Sequence, residues 1–504
     1  MNSSEPTSAS IRSAENAFES SSGLGLEPSQ NSSEESSLKF PGTEEGDSQL
    51  YGSFEGFDQY ITRRRPLIEA PKITTPMFWA KLRWGFFTTY RRLFALVFMG
   101  NMGAFIYVLA ERRNPNRIAN AVAANLAATG LIRLPQLVNI FYLTMCSLPH
   151  SWPLLLRRAA ADVSHFGGVH SGCGFAALCW YIGLCGVVTR DYVTRSPPEI
   201  HSAEILGLMY SILVVIMAIV ISAYPAFRFK SHDTFEFTHR FSGWTLVALF
   251  WAFILVFADK QAKAEHTSIG HELVRFPSFW FAVMLTLAFG IPWVTLRKVP
   301  VDPDVLSNHA VRLHFSHTTT GFAQGIGVSH HPLRDWHNFA GIPNVDGKPG
   351  FSVIVSRVGD FTGGAIERPP WQLWKRGIPA SGFGHAILLF KRVLLITTGS
   401  GMGPCLSLLA SDKRPPTRIF WQTRSPFKTY GPAVLDLISR IDEKAVVVDS
   451  DRHGRKDMFP AAWDMAVDFQ AEAVFVVSRP WVVRSLIFQF EARGVPAFGP
   501  IFDQ

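Results

Sequence analysis

Two histidines, His170 and His239, sit inside long apolar stretches, and Arg133 shares that setting. Polar side chains in hydrocarbon cost several kcal/mol unless partnered, so each is a candidate for chemistry. If the apolar stretches cross a membrane in alternation, the two that carry histidine run in the same direction. Both imidazoles then fall near the cytosolic level, whereas His165 points elsewhere on its helix. Two imidazoles from different helices at one depth can ligate a single haem iron axially. They can equally be interfacial histidines hydrogen-bonded to neighbours. Arg133 suits a propionate, a backbone carbonyl or the interface. A second signature is Thr398-Gly399-Ser400-Gly401-Met402-Gly403-Pro404, which follows the apolar run 392–397 and precedes an apolar helical stretch, 405–410. Glycines at a strand-to-helix turn let the backbone approach a pyrophosphate, which the helix N-terminus favours electrostatically. Such a turn is a weak signal alone and gains from this placement.

The elements that must position these groups follow from composition. Of 504 residues, 47% are apolar and 17% charged, against about 25% charged in soluble chains. Mean hydropathy is +0.14. These values point to a bilayer-embedded part joined to soluble parts. Apolar stretches of bilayer length, about 20 residues, predict six helices at 93–110, 118–147, 164–188, 202–224, 238–257 and 276–296. Arg133 and Pro135 interrupt the second. With the N-terminus in the cytosol, the inner segments hold fifteen Lys and Arg and the outer loops eight. That bias predicts a multi-pass membrane protein with both termini cytosolic. Residues 1–60 carry fifteen Ser, eleven acidic and two basic side chains. Such a segment cannot bury enough apolar surface to fold, and reads as a disordered acidic tail. A basic juxtamembrane segment, 61–92, follows it. The net charge of +8 sits mostly beside apolar segments, which favours membrane lipid as a partner and argues against nucleic acid. Five cysteines without a framework or metal-ligand spacing argue against a disulfide-stapled secreted protein. No cleavable signal peptide is evident.

After residue 298 the pattern becomes short alternating strands, 311–315, 321–329 and 351–357, which read as an antiparallel barrel spanning 305–390. From 391 the texture is βα. Strands at 392–397, 419–422, 445–448 and 473–477 alternate with helical stretches at 433–440 and 481–492, predicting a parallel sheet.

Several local motifs then carry a resemblance over about residues 90–504. Six helices with histidines on the third and fifth, a barrel and a nucleotide-type domain resemble the ferric reductase/NADPH oxidase superfamily. More narrowly, the chain looks like the fungal TmpA-type integral membrane proteins with a ferredoxin-reductase-like tail. Asp335-Trp336-His337-Asn338-Phe339-Ala340 resembles the family's flavin segment, and Gly359-Asp360-Phe361-Thr362 its turn near the flavin pyrophosphate. Gly382-Phe383-Gly384 looks like the turn before the nucleotide domain, and Gly399 to Pro404 like the pyrophosphate loop. The resemblance implies FAD held by His337, Phe339, Gly359 and Thr362. It implies NADPH at Gly399, Ser400, Gly401, Gly403 and Pro404, with Arg424, Lys428 and Tyr430 at the 2′-phosphate. It also implies one b-type haem between His170 and His239, and Ser478 in place of the family's cysteine beside the nicotinamide.

Departures accompany the likeness. Two-haem relatives carry a second histidine about thirteen or fourteen residues after the first on both helices. Here position 184 is Leu, 252 is Ala and 253 is Phe. Fourteen helical residues rise roughly 21 Å, so a stepping stone half a bilayer long is missing and one haem at most is implied. Asn338 replaces proline, Ala340 a hydroxyl residue and Arg479 a glycine. Phe502 keeps an aromatic ring near the end. The leading expectation is a plasma-membrane or endomembrane oxidoreductase. It passes electrons from NADPH through FAD to a small-molecule acceptor in secondary metabolism or signal production. The alternative is a non-catalytic membrane sensor or scaffold that kept the fold.

Overall fold

The computed structural model describes residues 55–56, 67–111, 114–194, 202–344 and 349–501. The acidic tail (1–60) apart from residues 55–56, the first part of the basic segment (61–66) and Phe502 lie outside them. The helices of the N-terminal half are α1 (Thr89–Glu111), α2 (Pro115–Leu131), α3 (Pro135–Met145), α4 (Leu154–Ala161), α5 (Gly167–Val193), α6 (Ala203–Ser222), α7 (His232–Glu265) and α8 (Pro277–Val294). Among the described residues, five helical stretches are long and apolar enough to cross a membrane, and six if α2 and α3 form one span. The helix expected at 118–147 is interrupted beside Arg133 and Pro135, as those residues imply. It breaks at 132–134, and α2 and α3 diverge by 73°. Proline has no N–H to continue the ladder and its ring clashes with the carbonyl four residues back, so Pro135 starts a new helix. The expected 238–257 helix runs much further, because its polar ends continue the helical ladder, with Lys263 pairing Asp259 one turn away at 2.7 Å. Helices α5 and α1 pack at close range: a Cβ on Gly168 would lie 2.3 Å from the Tyr90 carbonyl. Such small residues let backbones approach.

Two four-stranded antiparallel sheets follow, ordered β2-β9-β5-β6 and β3-β4-β8-β7. Their strands are β2 (Arg297–Pro300), β3 (Asp302–Val305), β4 (Ala310–Phe315), β5 (Gln324–Ser329), β6 (His337–Ala340), β7 (Ile342–Pro343), β8 (Phe351–Ser356) and β9 (Gln372–Ser381). Val311, Leu313, Phe315, Val328, Phe351 and Leu373 fill the space between them, and α9 (Asp360–Glu367) adds Ala365 and Ile366. The last part is a parallel sheet of β10 (Val393–Thr398), β11 (Thr417–Thr423), β12 (Val446–Asp449), β13 (Ala473–Val477) and β14 (Ala497–Phe498), with β1 (Glu55–Gly56) pairing in parallel along β12. Its order is β1-β12-β11-β10-β13-β14. Apolar residues alternate between its faces. One face packs on α10 (Met402–Leu409) and α12 (Pro432–Ile441), with α11 (Pro426–Tyr430) beside them. The other packs on α13 (Phe459–Asp468) and α14 (Pro480–Glu491). Strands buried on both sides read as continuous apolar runs, the mark of a parallel sheet.

The helical half does not hang loosely from this sheet. Val138, Tyr142, Cys146, Ala160 and Ala161 share one core with residues of β10, β13 and α10. The buried Arg157 donates to the Leu389 carbonyl at 2.7 Å and pairs with Glu472 at 2.8 Å. Arg158 pairs with Glu491, which also accepts from the Ala497 amide at 2.9 Å.

Candidate functional site

His170 and His239 face one another from α5 and α7, with ring centres 6.3 Å apart. The Nδ1 of His170 lies 2.9 Å from the Thr129 carbonyl. A ring held through Nδ1 offers its other nitrogen to a ligand, an arrangement common at metal sites. The buried Nδ1 of His239 has no hydrogen-bond partner. A glycine stands one turn beyond each histidine. A Cβ on Gly174 would meet nothing nearer than 3.8 Å, and one on Gly243 nothing nearer than 3.5 Å. Both histidines and both glycines border a cavity of about 1310 Å³, together with Arg133. Arg133 sits 5.8 Å over the Phe166 ring. An imidazole with one unpartnered nitrogen, a facing partner at this spacing and paired glycines fit a haem. Composition and spacing singled out the histidines but missed the glycines. The repeated H-x-x-x-G pattern, His170–Gly174 and His239–Gly243, is the signal that could have found them. Among the described residues no group of three or more His, Cys, Asp or Glu could hold a metal ion.

The same cavity extends to the barrel, where Gly325, Gly327, Asn338 and Arg376 form its wall. Alternation along β6 divides the expected flavin segment. His337 and Phe339 turn from the cavity toward α9, where His337 stacks on Phe361 at 4.0 Å and Phe339 lies 6.2 Å from that ring. The His337 Nε2 is buried without a partner, and burial holds the ring below its ordinary pKa against the pull of Glu236 and Asp335. Thr362 is committed locally. Its hydroxyl accepts from the Val358 and Gly359 amides, both at 2.9 Å, and donates to the Gly359 carbonyl. A phosphate at this turn would therefore be met by amides at the start of α9, over the open space beside Gly359. The orphaned imidazole nitrogen and this turn fit a flavin nucleotide, although Ala340 brings no hydroxyl to it. Gly382 and Gly384 lie at the link between barrel and parallel sheet, and Gly384 packs against Leu408 of α10.

In the parallel sheet the strand order reverses between β10 and β13. Ligands of open α/β sheets bind at such a switch point, beyond the carboxyl ends of the strands. Gly399, Ser400 and Gly401 form the turn there, and Gly403 and Pro404 lie in the first turn of α10. No side chain caps that helix start; the Met402 amide already donates to the Gly399 carbonyl and Pro404 has no N–H, so an anion would be met by the glycine turn before them. A Cβ on Gly401 would strike the Val477 carbonyl at 2.5 Å, whereas Gly399 has φ +48° and open space around it. Ser478 stands at the end of β13, its hydroxyl 2.5 Å from that of Thr398. This loop fits a dinucleotide pyrophosphate. Arg424 and Lys428 are exposed beyond β11. Tyr430 is not beside them. It is 2% exposed, packed 5.2 Å from Trp421, and burial pushes its phenol up to about 12. The large indole of Trp421, on β11, draws it inward, so of the three residues expected at a 2′-phosphate only the two cations are exposed.

Residues 383–504 match the family described as adenylate-forming reductase 03009, C-terminal domain. The chain is 39% identical over 423 residues to adenylate-forming reductase 03009 of Coprinopsis cinerea, covering 84% of this chain and 41% of that protein. It is 36% identical over 437 residues to adenylate-forming reductase 06235 of the same fungus, covering 86% and 42%. By name, these relatives are reductases. The chain spans about two fifths of their length. Among solved structures it resembles a flavohemoglobin from Malassezia yamatoensis with bound FAD and heme, at 15% identity and TM-score 0.36 over 76% of this chain and 98% of that one. It also resembles a ferredoxin-NADP+ reductase from Plasmodium falciparum, at 13% identity and TM-score 0.34 over 41% and 96%. Likenesses of that strength carry no functional argument.

Proposed function

We propose that the chain is a membrane-embedded, NADPH-dependent flavin reductase of the ferric-reductase type. On this reading it lies in the plasma membrane or an endomembrane with both termini cytosolic. The supporting observation is one cavity bounded by paired imidazoles at one end and the barrel sheet at the other, in a chain whose parallel sheet has an open glycine turn at its switch point. The reductase part of the relatives' name is the part this reading carries over.

FAD, when bound, would take a hydride from NADPH and release electrons singly, and a b-type haem would carry them one at a time. The chain's own residues bind and orient. Gly399 and Gly401 let the loop lie close to a pyrophosphate, and the backbone of that turn would meet its charge. Arg424 and Lys428 would favour the 2′-phosphate. Ser478, tied to Thr398, leaves a small polar surface at the mouth of the switch point. The start of α9 and the unpartnered nitrogen of His337 would hold the flavin nucleotide. His170 and His239 would hold the iron, with Arg133 for a propionate. The acceptor would be a small organic molecule reached from the cytosolic side.

The test is an absorbance spectrum of the detergent-purified protein, before and after dithionite and after NADPH. The expected result is a flavin band bleached by NADPH and a reduced α band that disappears in His170→Ala. A folded, colourless preparation that consumes no NADPH would sink the reading and favour the scaffold.

A further inference from the structure

The barrel end of the cavity carries a cation that nothing in the reading above employs. Arg376 lies on β9, with its guanidinium 4.3 Å from the Trp336 ring and 5.0 Å from the Trp293 ring. The two indoles stand nearly perpendicular, 6.4 Å apart, so they flank the guanidinium at a right angle, while its N–H groups make no hydrogen bond among the described residues. Burial first, and Arg240 second, push it down to about 10, so it remains charged at neutral pH. Its aim comes from the backbone. The β5–β9 register slips between Gly325 and Gly327, and on the β9 side Gly377 takes φ +68°. Such bulges bend a strand and re-aim a side chain. The bent helix α3 pins this one. Asn139 donates to the Pro379 carbonyl at 2.9 Å and accepts from the Ser381 amide at 2.7 Å.

Arg376, Gly327 and Asn338 form one row across three strands. A Cβ on Gly327 would lie 2.9 Å from the Asn338 Oδ1, so the row is a shallow seat between a guanidinium and an amide. Five arginines border the cavity (Arg91, Arg133, Arg228, Arg240 and Arg376) against one carboxylate, Glu236, which Arg240 already holds. A haem brings two propionates, and positive charge is left over. The volume of about 1310 Å³ exceeds the roughly 300–1,000 Å³ usual for one ligand. The cavity's rim includes Phe86, Phe87 and Tyr224, which are exposed by 54%, 42% and 65%.

We propose that this end of the cavity is a second ligand site, which takes an amphipathic carboxylate: an acid group edge-on against Arg376 and Asn338, with an apolar or aromatic body among the surrounding rings. A guanidinium flanked by indoles and left without a hydrogen-bond partner recognises a planar oxyanion through its fork of N–H groups. On the electron-transfer reading this is the seat of the acceptor, yet the site itself stands without that reading.

The experiment is a titration of the full-length protein in nanodiscs with 2-naphthoate, read by tryptophan emission, beside the neutral 2-naphthamide. The expected result is saturable quenching by the acid, with the amide about ten- to a hundredfold weaker, as loss of a charge-assisted contact implies. Arg376→Met should abolish that difference while leaving the haem and flavin bands of the purified protein unchanged. Acid and amide binding alike, or a difference that survives in Arg376→Met, would overturn the site. Displacement of naphthoate by inorganic phosphate together with equal binding of the amide would assign the seat to a free oxyanion and overturn the amphiphile. Naphthoate binding by a preparation without flavin would leave the site standing and sink the electron-transfer reading alone.

Discussion

Gly401 and Gly399 stand two residues apart in one loop and should fail differently when altered. A Cβ on Gly401 would lie 2.5 Å from the Val477 carbonyl and 2.7 Å from the Thr397 hydroxyl. Neither atom can yield. The carbonyl ends a central strand, and the Thr397 hydroxyl, fully buried, donates to it at 2.9 Å. Gly401→Ala must therefore lift the loop away from β13, at about 1–3 kcal/mol of overpacking. If the displaced loop carries that cost into nucleotide binding, NADPH affinity falls about five- to 150-fold. Gly399 has open space and φ +48°, so alanine there meets only the left-handed penalty of about 1 kcal/mol. The assay is NADPH titration of the purified protein by flavin bleaching, with the oxidised flavin and haem bands as controls for folding. Gly401→Ala should lose markedly more affinity than Gly399→Ala, with both spectra intact. Equal losses, or a Gly401→Ala protein within threefold of the parent, would refute a loop pressed against β13.

Three further outcomes follow from the same structure. Arg424→Ala should weaken NADPH about tenfold and leave NADH binding unchanged, since only the 2′-phosphate calls on an exposed cation there; comparative titration decides. Arg157→Met leaves the Leu389 carbonyl and part of Glu472 without a donor. The loss should be about 3 kcal/mol, at the low end for buried pairs because Glu472 is 22% exposed, and should show as faster proteolytic separation of the parallel-sheet domain from the helices. Burial holds Glu491 up at about 7 from 4.5, against the opposing pull of Arg158. A carboxyl raised on folding contributes stability that is complete below pH 4.5 and lost as pH rises through 7, a swing of about 3 kcal/mol. Thermal midpoints should therefore fall across that window in the parent and stay level in Glu491→Gln.

The sequence spoke most clearly where one physical constraint acted alone. Bilayer-length apolar runs located the long helices, and β10 and β13 stand within a residue of the expected strands because a doubly buried strand cannot look otherwise. Legibility failed where tertiary contacts overrode local pattern. The strand β9 carries Trp374, Lys375, Arg376, Gly377 and Pro379, a composition that suggests a loop, and it forms because Asn139 on a distant helix holds its bulge. The helix α13 was not anticipated from 459–468, where Pro460 sits at a first-turn position that tolerates it. Side-chain direction was equally hidden. Tyr430 turns inward under Trp421, and His337 faces α9 while Asn338 takes the cavity wall.

The altered positions on α5 and α7 bear on where electrons would leave. Leu184 and Phe253, at the positions where the two-haem members of the superfamily that the sequence resembles have histidine, border a separate cavity of about 60 Å³ lined mainly by apolar side chains. At about 10–15 Å³ of such volume per water, it has room for a few small molecules and none for a macrocycle. The histidine end of the larger cavity is bordered by Arg133, and its barrel end by Arg376 and Asn338. Space and charge for cofactors thus lie on the barrel side, while the far half of the bundle closes over its apolar core. A reductase built this way would deliver electrons to an acceptor that enters beside the barrel. Replacing Leu184 and Phe253 together by histidine should therefore add no second haem: the reduced α band should keep its single component, and two resolved components would show that the far half can open.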